Sequence, residues 1–279
     1  MAPGMSDHES QRLEDQRGAN LPRLVEIMQR LLSPGGCPWD QAQTPATLRK
    51  YVLEEACEVI DAIDQNDPRA LREELGDLLL QVVFQAELAR RAEQFGPDDV
   101  IAGICDKLER RHPHVYGDVT VDGAQQVHRN WERIKAEEKK GRGVLDGVPM
   151  SLPALARAQR LGEKASRVGF DWPERSGVRE KVSEELLELD EAMASADEDA
   201  MREELGDALF ALVNLARHLN VEAEFALQET SRKFARRFST VETEVNRNHG
   251  GFRVGSTPLD IDTLDRYWCE AKARETEEK

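Results

Sequence analysis

The chain has 279 residues and carries 54 Asp and Glu against 38 Lys and Arg, a formal net charge of -16. Such a charge repels nucleic acid and anionic membrane surfaces unless basic residues are locally concentrated, so a polyanionic ligand would need a cation to reach this surface. The length suffices for two domains with cores of their own, the N-terminal residues lack the basic and apolar regions of a signal peptide, and apolar runs such as Leu78–Phe84 are too short to span a bilayer; a soluble, cytoplasmic protein is expected.

Residues 1–20 are polar and are expected to form a frayed tail. From there Leu21, Leu24, Val25, Met28, Leu31 and Leu32 recur at three and four, the spacing of one helix face, until SPGGCPWD stops the helix. Segments 44–64, 68–93 and 97–117 keep the helical period, and Asp67-Pro68 and Gly96-Pro97 are the punctuation of helix starts. No stretch reads as a strand. Residues 141–170, rich in Gly and Pro with one helical piece at 152–166, are read as the linker between an N-terminal domain, 21–140, and a C-terminal domain, 171–279. Cys37, Cys57, Cys105 and Cys269 stand far apart, without a CxxC or a paired histidine nearby, and are expected as small buried or partly buried thiols.

The second half repeats the first in order. Arg72–Asp77 and Arg202–Asp207 are one hexapeptide, REELGD, written twice at a shift of 130, and LEEACEVID at 53–61 answers SEELLELDE at 183–191 at the same shift. Trp39 in CPWD answers Trp172 in FDWP. Lys107, Arg110 and Arg111 answer Lys233, Arg236 and Arg237, and the segment around Trp131 answers the segment around Trp268. Landmarks kept in one order mark a tandem duplication, with insertions and deletions left to the loops.

Each half thus carries Glu-Glu-x-x-Glu, then a second helix with Glu-x-x-Asp. These are Glu54, Glu55, Glu58, Glu74 and Asp77 in the first half, and Glu184, Glu185, Glu188, Glu204 and Asp207 in the second. Side chains three or four apart share a helix face, so two such helices packed antiparallel across a short polar loop gather four carboxylates. In a chain that is 33% charged, a lone EExxE is ordinarily a solvated surface run. The register argues otherwise here. The apolar runs after Asp77 and Asp207 predict helices buried on most sides, and acids crowded at their mouth lose hydration. A hard divalent cation relieves that repulsion; Mg²⁺ suits the ligand set best and Mn²⁺ would substitute. Gly76 and Gly206 would allow close helix approach. The repeated Lys-x-x-Arg-Arg supplies grips for phosphate oxygens, and a metal with a basic cluster is the equipment of phosphoryl or nucleotidyl chemistry, here without a P-loop.

EELGD after EExxE, CPWD, DKLERRHPHVYGD and the tandem repeat resemble the MazG family of nucleoside triphosphate pyrophosphohydrolases, of the all-α NTP pyrophosphatase group, over about residues 20–275. The resemblance implies an all-α fold of two tandem helical-bundle domains with a dimeric core of the four-helix-bundle type. It implies hydrolysis of NTPs or dNTPs between the α- and β-phosphates to NMP and pyrophosphate, as nucleotide-pool housecleaning or stress-related nucleotide control. Carried onto this chain, it makes Glu185, Glu188, Glu204 and Asp207, with Glu55, Glu58, Glu74 and Asp77 in the first half, ligands of Mg²⁺. Lys181, Lys233, Arg236 and Arg237 would hold the triphosphate, Trp268 would lie against the nucleotide, and Glu184 or Glu185 would be the base.

In two-domain members the C-terminal domain is the one associated with hydrolysis. Lys181, three residues before its EE pair where the first half has Tyr51, agrees with that. The first half would then bind metal, regulate, or scaffold a homodimer. Two rival readings stand beside this one. A di-iron carboxylate bundle needs paired Glu-x-x-His motifs, and the chain offers one, Glu109 with His112. A non-catalytic acidic interaction module would explain the charge but not the repeated register. His128 and His218 are assigned no role.

Overall fold

The computed structural model describes residues 18–138, 141, 143–252 and 259–277. The expected N-terminal tail lies outside the described residues as far as position 17. Among the described residues all regular structure is helical, and the chain divides into two compact units, Met1–Lys140 and Gly141–Lys279.

The first unit is built from α1 (Leu21–Leu32), α2 (Pro38–Gln41), α3 (Pro45–Asp64), α4 (Pro68–Arg91), α5 (Pro97–Arg111), α6 (Pro113–Tyr116) and α7 (Ala124–Glu138). Helices α3 and α4 form a hairpin, and local chemistry dictates where each begins. Thr44 Oγ1 accepts from the Thr47 N–H and Thr47 Oγ1 accepts from the Thr44 N–H, with Pro45 in the first turn. Asp67 Oδ1 accepts from the N–H groups of Arg69 and Ala70, again before a proline, and Asn66 takes the left-handed conformation at φ 52°. Helix α1 lies on the hairpin. Met28, Leu32, Leu48, Val83 and Phe84 form the buried core, with Tyr51 and Leu80 packed against it, each buried side chain contributing roughly 1.5–3 kcal/mol.

The second unit holds α8 (Ala154–Ser166), α9 (Arg175–Ser195), α10 (Glu198–His218), α11 (Ala223–His249) and α12 (Ile261–Glu277). Its hairpin, α9 with α10, is made the same way: Asp197 Oδ1 accepts from the N–H groups of Asp199 and Ala200. The left-handed turn residue is Ala196, at φ 54°. The helical piece anticipated inside the linker is α8, and it packs on α10 as α1 packs on α4. Buried Gln159 on α8 donates to the Val221 carbonyl and accepts from the Ala223 N–H, which fastens α8 to the start of α11. Lys164 Nζ donates to the carbonyls of Val144 and Asp146, so the segment before α8 is tied to this unit as well. Helices α11 and α12 pair around Val241, Val245 and Tyr267.

Two sequence expectations need correcting, and a third holds only in part. The runs after Asp77 and Asp207 are mostly buried or half-buried, but each leaves a stripe of apolar residues bare. Leu75, Leu79 and Val82, and equally Leu205, Leu209 and Leu212, stay exposed. Gly76 and Gly206 face open space rather than a close helix neighbour within 4 Å. Of the cysteines, Cys37 is half-buried while Cys57, Cys105 and Cys269 are exposed, since each of those three sits on the outer face of its helix.

Candidate active site

Each hairpin gathers carboxylates from facing turns. Oxygens of Glu55 and Glu58 on α3 and Glu74 on α4 lie within 4.8 Å of one another, and those of Glu185 and Glu188 on α9 and Glu204 on α10 do the same. Asp77 and Asp207, one helical turn beyond Glu74 and Glu204, fall outside these trios but act on them. Lost hydration, then the charges of Asp77 and Glu58, push the Glu55 carboxyl above the usual range. Glu74 moves the same way, through lost hydration and then Glu58 and Asp77. In the second unit lost hydration, then Glu185, raise Glu188, while Lys181 opposes the rise. Glu204 is raised by lost hydration and then by Glu185 and Asp207. An all-carboxylate donor set this compact, at odds with its own charge, fits a hard dication bonding at about 2.0–2.6 Å.

The two clusters differ in what stands beside them. Lys181 Nζ is 2.8 Å from Glu184 Oε1 and 2.7 Å from the buried Glu185 Oε1. The hydrogen bond to Glu184, then the one to Glu185, holds the ammonium above the usual lysine range. Next to it opens a narrow cleft of about 100 Å³, lined by Trp172, Val178 and Phe210 on its apolar side and by Lys181, Glu185, Asp207 and Asn214 on its polar side. The shift of 130 that relates the hairpins relates these positions too. Where the second unit has Val178, Lys181, Phe210 and Asn214, the first has Leu48, Tyr51, Leu80 and Phe84; Leu48 and Phe84 belong to its core, and Tyr51 and Leu80, partly buried, pack against it. Tyr51 also meets the Trp39 ring edge-on at 6.2 Å. Apolar bulk therefore fills in the first unit the space that the second keeps as a cleft.

The basic residues expected at the triphosphate form a separate cluster. Lys233, Arg236 and Arg237 lie on α11 and Trp268 on α12. Arg237 pairs with Glu275 at 2.8 Å and Arg236 approaches the same carboxylate at 3.7 Å. The Arg237 guanidinium lies 5.9 Å from the Trp268 ring, which also meets Phe234 at 5.1 Å. Neither helix lines the cleft beside Glu185. Within this chain, then, Lys181, Glu184, Glu185, Glu188, Glu204 and Asp207 are brought together, and the α11–α12 residues are not brought to them. His128 lines a groove of the first unit with Lys107, Arg111 and Trp131. His112 bonds the Leu108 carbonyl through Nδ1 at 2.7 Å. His218 approaches Asp171 at 2.9 Å.

Trp172, Val178, Phe210 and Asn214 line the cleft without having carried a role in the sequence reading. Trp172 served there only as a repeat landmark, and Asn214 passed unnoticed inside ALFALVNLA. The available signal was the shift itself, which sets a polar Asn214 against an apolar Phe84.

Fold and site together define an all-α protein of two tandem hairpin units, each with an acidic cluster that could hold a metal ion, one of them beside a lysine-bearing cleft. The model of the MazG nucleotide pyrophosphohydrolase domain matches residues 43–116 and 175–245, and the chain belongs to the MazG family of nucleotide pyrophosphohydrolases. A nucleoside triphosphate pyrophosphohydrolase of Escherichia coli (strain K12) is 47% identical over 261 residues, covering 91% of this chain and 98% of that protein. The nucleoside triphosphate pyrophosphohydrolase/pyrophosphatase MazG of Thermotoga maritima is 45% identical over 257 residues, 91% of this chain and 96% of that protein. A crystal structure of a mazG-related protein from Thermotoga maritima aligns at 28% identity with a TM-score of 0.37, covering 41% of this chain and 98% of that one.

Proposed function

We propose that this chain hydrolyses nucleoside triphosphates, NTP or dNTP, between the α- and β-phosphates to NMP and pyrophosphate, and that the second unit does so. The observation that carries the assignment is Lys181, poised 2.7 Å from buried Glu185 at the mouth of a cleft that Tyr51 and Phe84 fill in the first unit. The names of the 47% and 45% identical relatives support the reaction class.

Glu185, Glu188, Glu204 and Asp207 would hold Mg²⁺, with Mn²⁺ as a substitute. Bound there, the ion would neutralise phosphate charge and lower the pKa of a coordinated water. Lys181 at present offsets Glu184 and Glu185; a phosphate oxygen entering the cleft mouth competes for the same ammonium. Its transfer to the substrate frees a carboxylate. Glu184, the exposed member of the pair, or Glu185, the buried one, then accepts the proton of the attacking water. Lys233, Arg236 and Arg237 would meet the far end of the triphosphate and Trp268 the nucleotide. Because α11 and α12 contribute nothing to the cleft of their own chain, that role calls for a second copy or a rearrangement.

A homodimer fits the same picture. Leu75 and Leu79 beside open Gly76, and Leu205 and Leu209 beside open Gly206, are apolar faces that a second copy would cover. Nucleotide-pool housecleaning or stress-related control in the cytoplasm is the role in keeping with this chemistry, and among the described residues no helix is long and apolar enough to cross a membrane. The test is phosphate release with added inorganic pyrophosphatase across eight NTPs and dNTPs with Mg²⁺. Turnover is expected, and its absence at micromolar enzyme overturns the reading.

A further inference from the structure

The loop between α8 and α9 carries Asp171 and Trp172, and both are held firmly. Asp171 accepts from the two terminal nitrogens of Arg217 at 2.5 and 2.8 Å, and its Oδ1 lies 2.9 Å from His218 Nε2. A bidentate guanidinium–carboxylate pair fixes direction as well as distance. The same Arg217 donates to Asn214 Oδ1 at 2.7 and 2.9 Å.

The backbone of Trp172, not its indole, is bound to that anchor: its main-chain N–H donates to Asp171 Oδ1 at 2.9 Å. Its ring rests on the first turns of α9 at Gly177, where a Cβ would come within 2.7 Å of Trp172 Cδ1 and displace it. The ring also lines the cleft with Lys181, Glu185 and Asp207. Among the described residues the first unit has no such clasp. Pro38 precedes its tryptophan, and Glu87 stands at the position of Arg217, buried and bonded to Gln29 and Arg90. The clasp therefore occurs in the unit that also has the lysine.

A nucleoside triphosphate has the same division as this cleft, an ionic end and a flat aromatic end. Phosphates belong with Lys181 and the carboxylates. The aromatic end belongs on the apolar wall, because any base can stack on an indole face. Asn214 adds a polar contact: its carbonyl oxygen is committed to Arg217, which leaves the amide N–H groups as what it offers the cleft.

We propose that Asp171 is a positioning residue which, by its anchorage to Arg217 and His218, holds the Trp172 ring as the wall against which the nucleoside of the substrate lies. The inference rests on the second unit being the hydrolytic one. The test uses the full chain with Mg²⁺ and the best substrate of the NTP panel, measuring kcat and KM together with calorimetric binding of that nucleotide's α,β-methylene analogue. Trp172→Ala and Asp171→Ala should each raise KM about tenfold, the equivalent of about 1.4 kcal/mol, and weaken the analogue in parallel, with kcat within about threefold of the parent. Trp172→Phe should restore KM. The double variant should be no worse than Trp172→Ala alone, because both changes act on one wall. Trp172→Leu, which keeps apolar bulk, serves if alanine prevents folding, and it should also raise KM. A parental KM in both Trp172→Ala and Trp172→Leu removes the wall. A parental KM in Asp171→Ala beside an impaired Trp172→Ala removes the positioning role. In either case a parent enzyme that turns over leaves the hydrolase reading standing, whereas a parent without turnover removes that reading first.

Discussion

The two hairpins of this protein are copies in backbone and in acids, yet they present opposite interiors beside those acids. Glu55, Glu58 and Glu74 are as closely gathered as Glu185, Glu188 and Glu204. The distinction lies in a handful of side chains at the same shift: Tyr51 for Lys181, Phe84 for Asn214, Glu87 for Arg217. Tyr51 and Phe84 are packing residues, and each aromatic buried in a core is worth a few kcal/mol. The first unit thus keeps its stability where the second gives some up for a cleft, a lysine and a clasped tryptophan. If the second unit is the hydrolytic one, as proposed, a carboxylate cluster alone does not set the copies apart; the bulk and charge next to it do.

The sharpest way to break this comparison is to remove one acid from each cluster. Glu185→Ala should lower kcat by about a hundredfold or more, as loss of a group that stabilises the reacting charge does, while Glu55→Ala should leave steady-state hydrolysis within about twofold. The reverse pattern would move catalysis to the first unit. Next in size is the lysine. Lys181→Tyr copies the first unit into the second and should cost about tenfold to a hundredfold in kcat/KM, measured against a parental circular-dichroism spectrum. Activity unchanged in that variant would show that the lysine is not what separates the copies.

Much of this was legible in the sequence, and the limits have physical causes. The helices announced themselves through apolar spacing, and two of their starts through Asp67-Pro68 and Gly96-Pro97. The acid clusters could be read because spacing on a helix dictates which side chains share a face. The cleft could not be read the same way. Whether a gap opens beside Glu185 depends on volume, and volume at position 214 matters only once α10 is known to pack on α9 and α8. The Asp171–Arg217 pair joins a loop to a helix 46 residues on, and no periodicity links them. Which face of a helix stays bare was equally beyond the pattern, so Leu79, Leu209 and three of the cysteines were expected to be more covered than they are.

Two smaller effects would sharpen the contrast. Lost hydration and neighbouring carboxylates raise Glu55 and Glu74, whereas at Glu188 and Glu204 the Lys181 ammonium opposes the rise, so the first cluster is the more self-repelling. In EDTA, Glu55→Gln should therefore raise the melting temperature by a few degrees, and it should shrink the further rise that Mg²⁺ or Mn²⁺ gives the parent. An undiminished metal-induced rise would mean that this cluster binds no metal. In the second unit the Arg217 hydrogen bonds, then that of His218, hold the Asp171 carboxyl down to about 2. A depressed carboxylate contributes stability that is present above the unfolded value of about 3.9 and is lost as pH falls toward 2. The melting gap between the parent and Asp171→Asn should thus be present above about pH 5 and close on further acidification. Its size should be on the order of 1 kcal/mol, given how near the surface the pair lies. A gap that persists at pH 2 would detach it from this ionisation.

The smallest expected difference lies in the hairpin turns, and it isolates backbone from site. Both turns need a left-handed residue after the first helix: Asn66 at φ 52° in the first unit and Ala196 at φ 54° in the second. After the second helix the choice is inverted, with Glu93 at φ 56° and Asn220 at φ 57°. Asparagine tolerates this conformation through local hydrogen bonding, whereas a residue such as alanine loses about 1 kcal/mol to the clash of its Cβ with the following carbonyl. Ala196→Asn should accordingly raise the melting temperature by about 2–4 °C, and Asn66→Ala should lower it by a similar amount. Because the gain arises in the turn and not among the carboxylates, it should be the same with and without Mg²⁺ and should leave kcat unchanged. A stabilised variant with altered kcat would mean that the turn sets the spacing of Glu185 and Glu204, and that the two copies differ in hairpin geometry as well as in side chains.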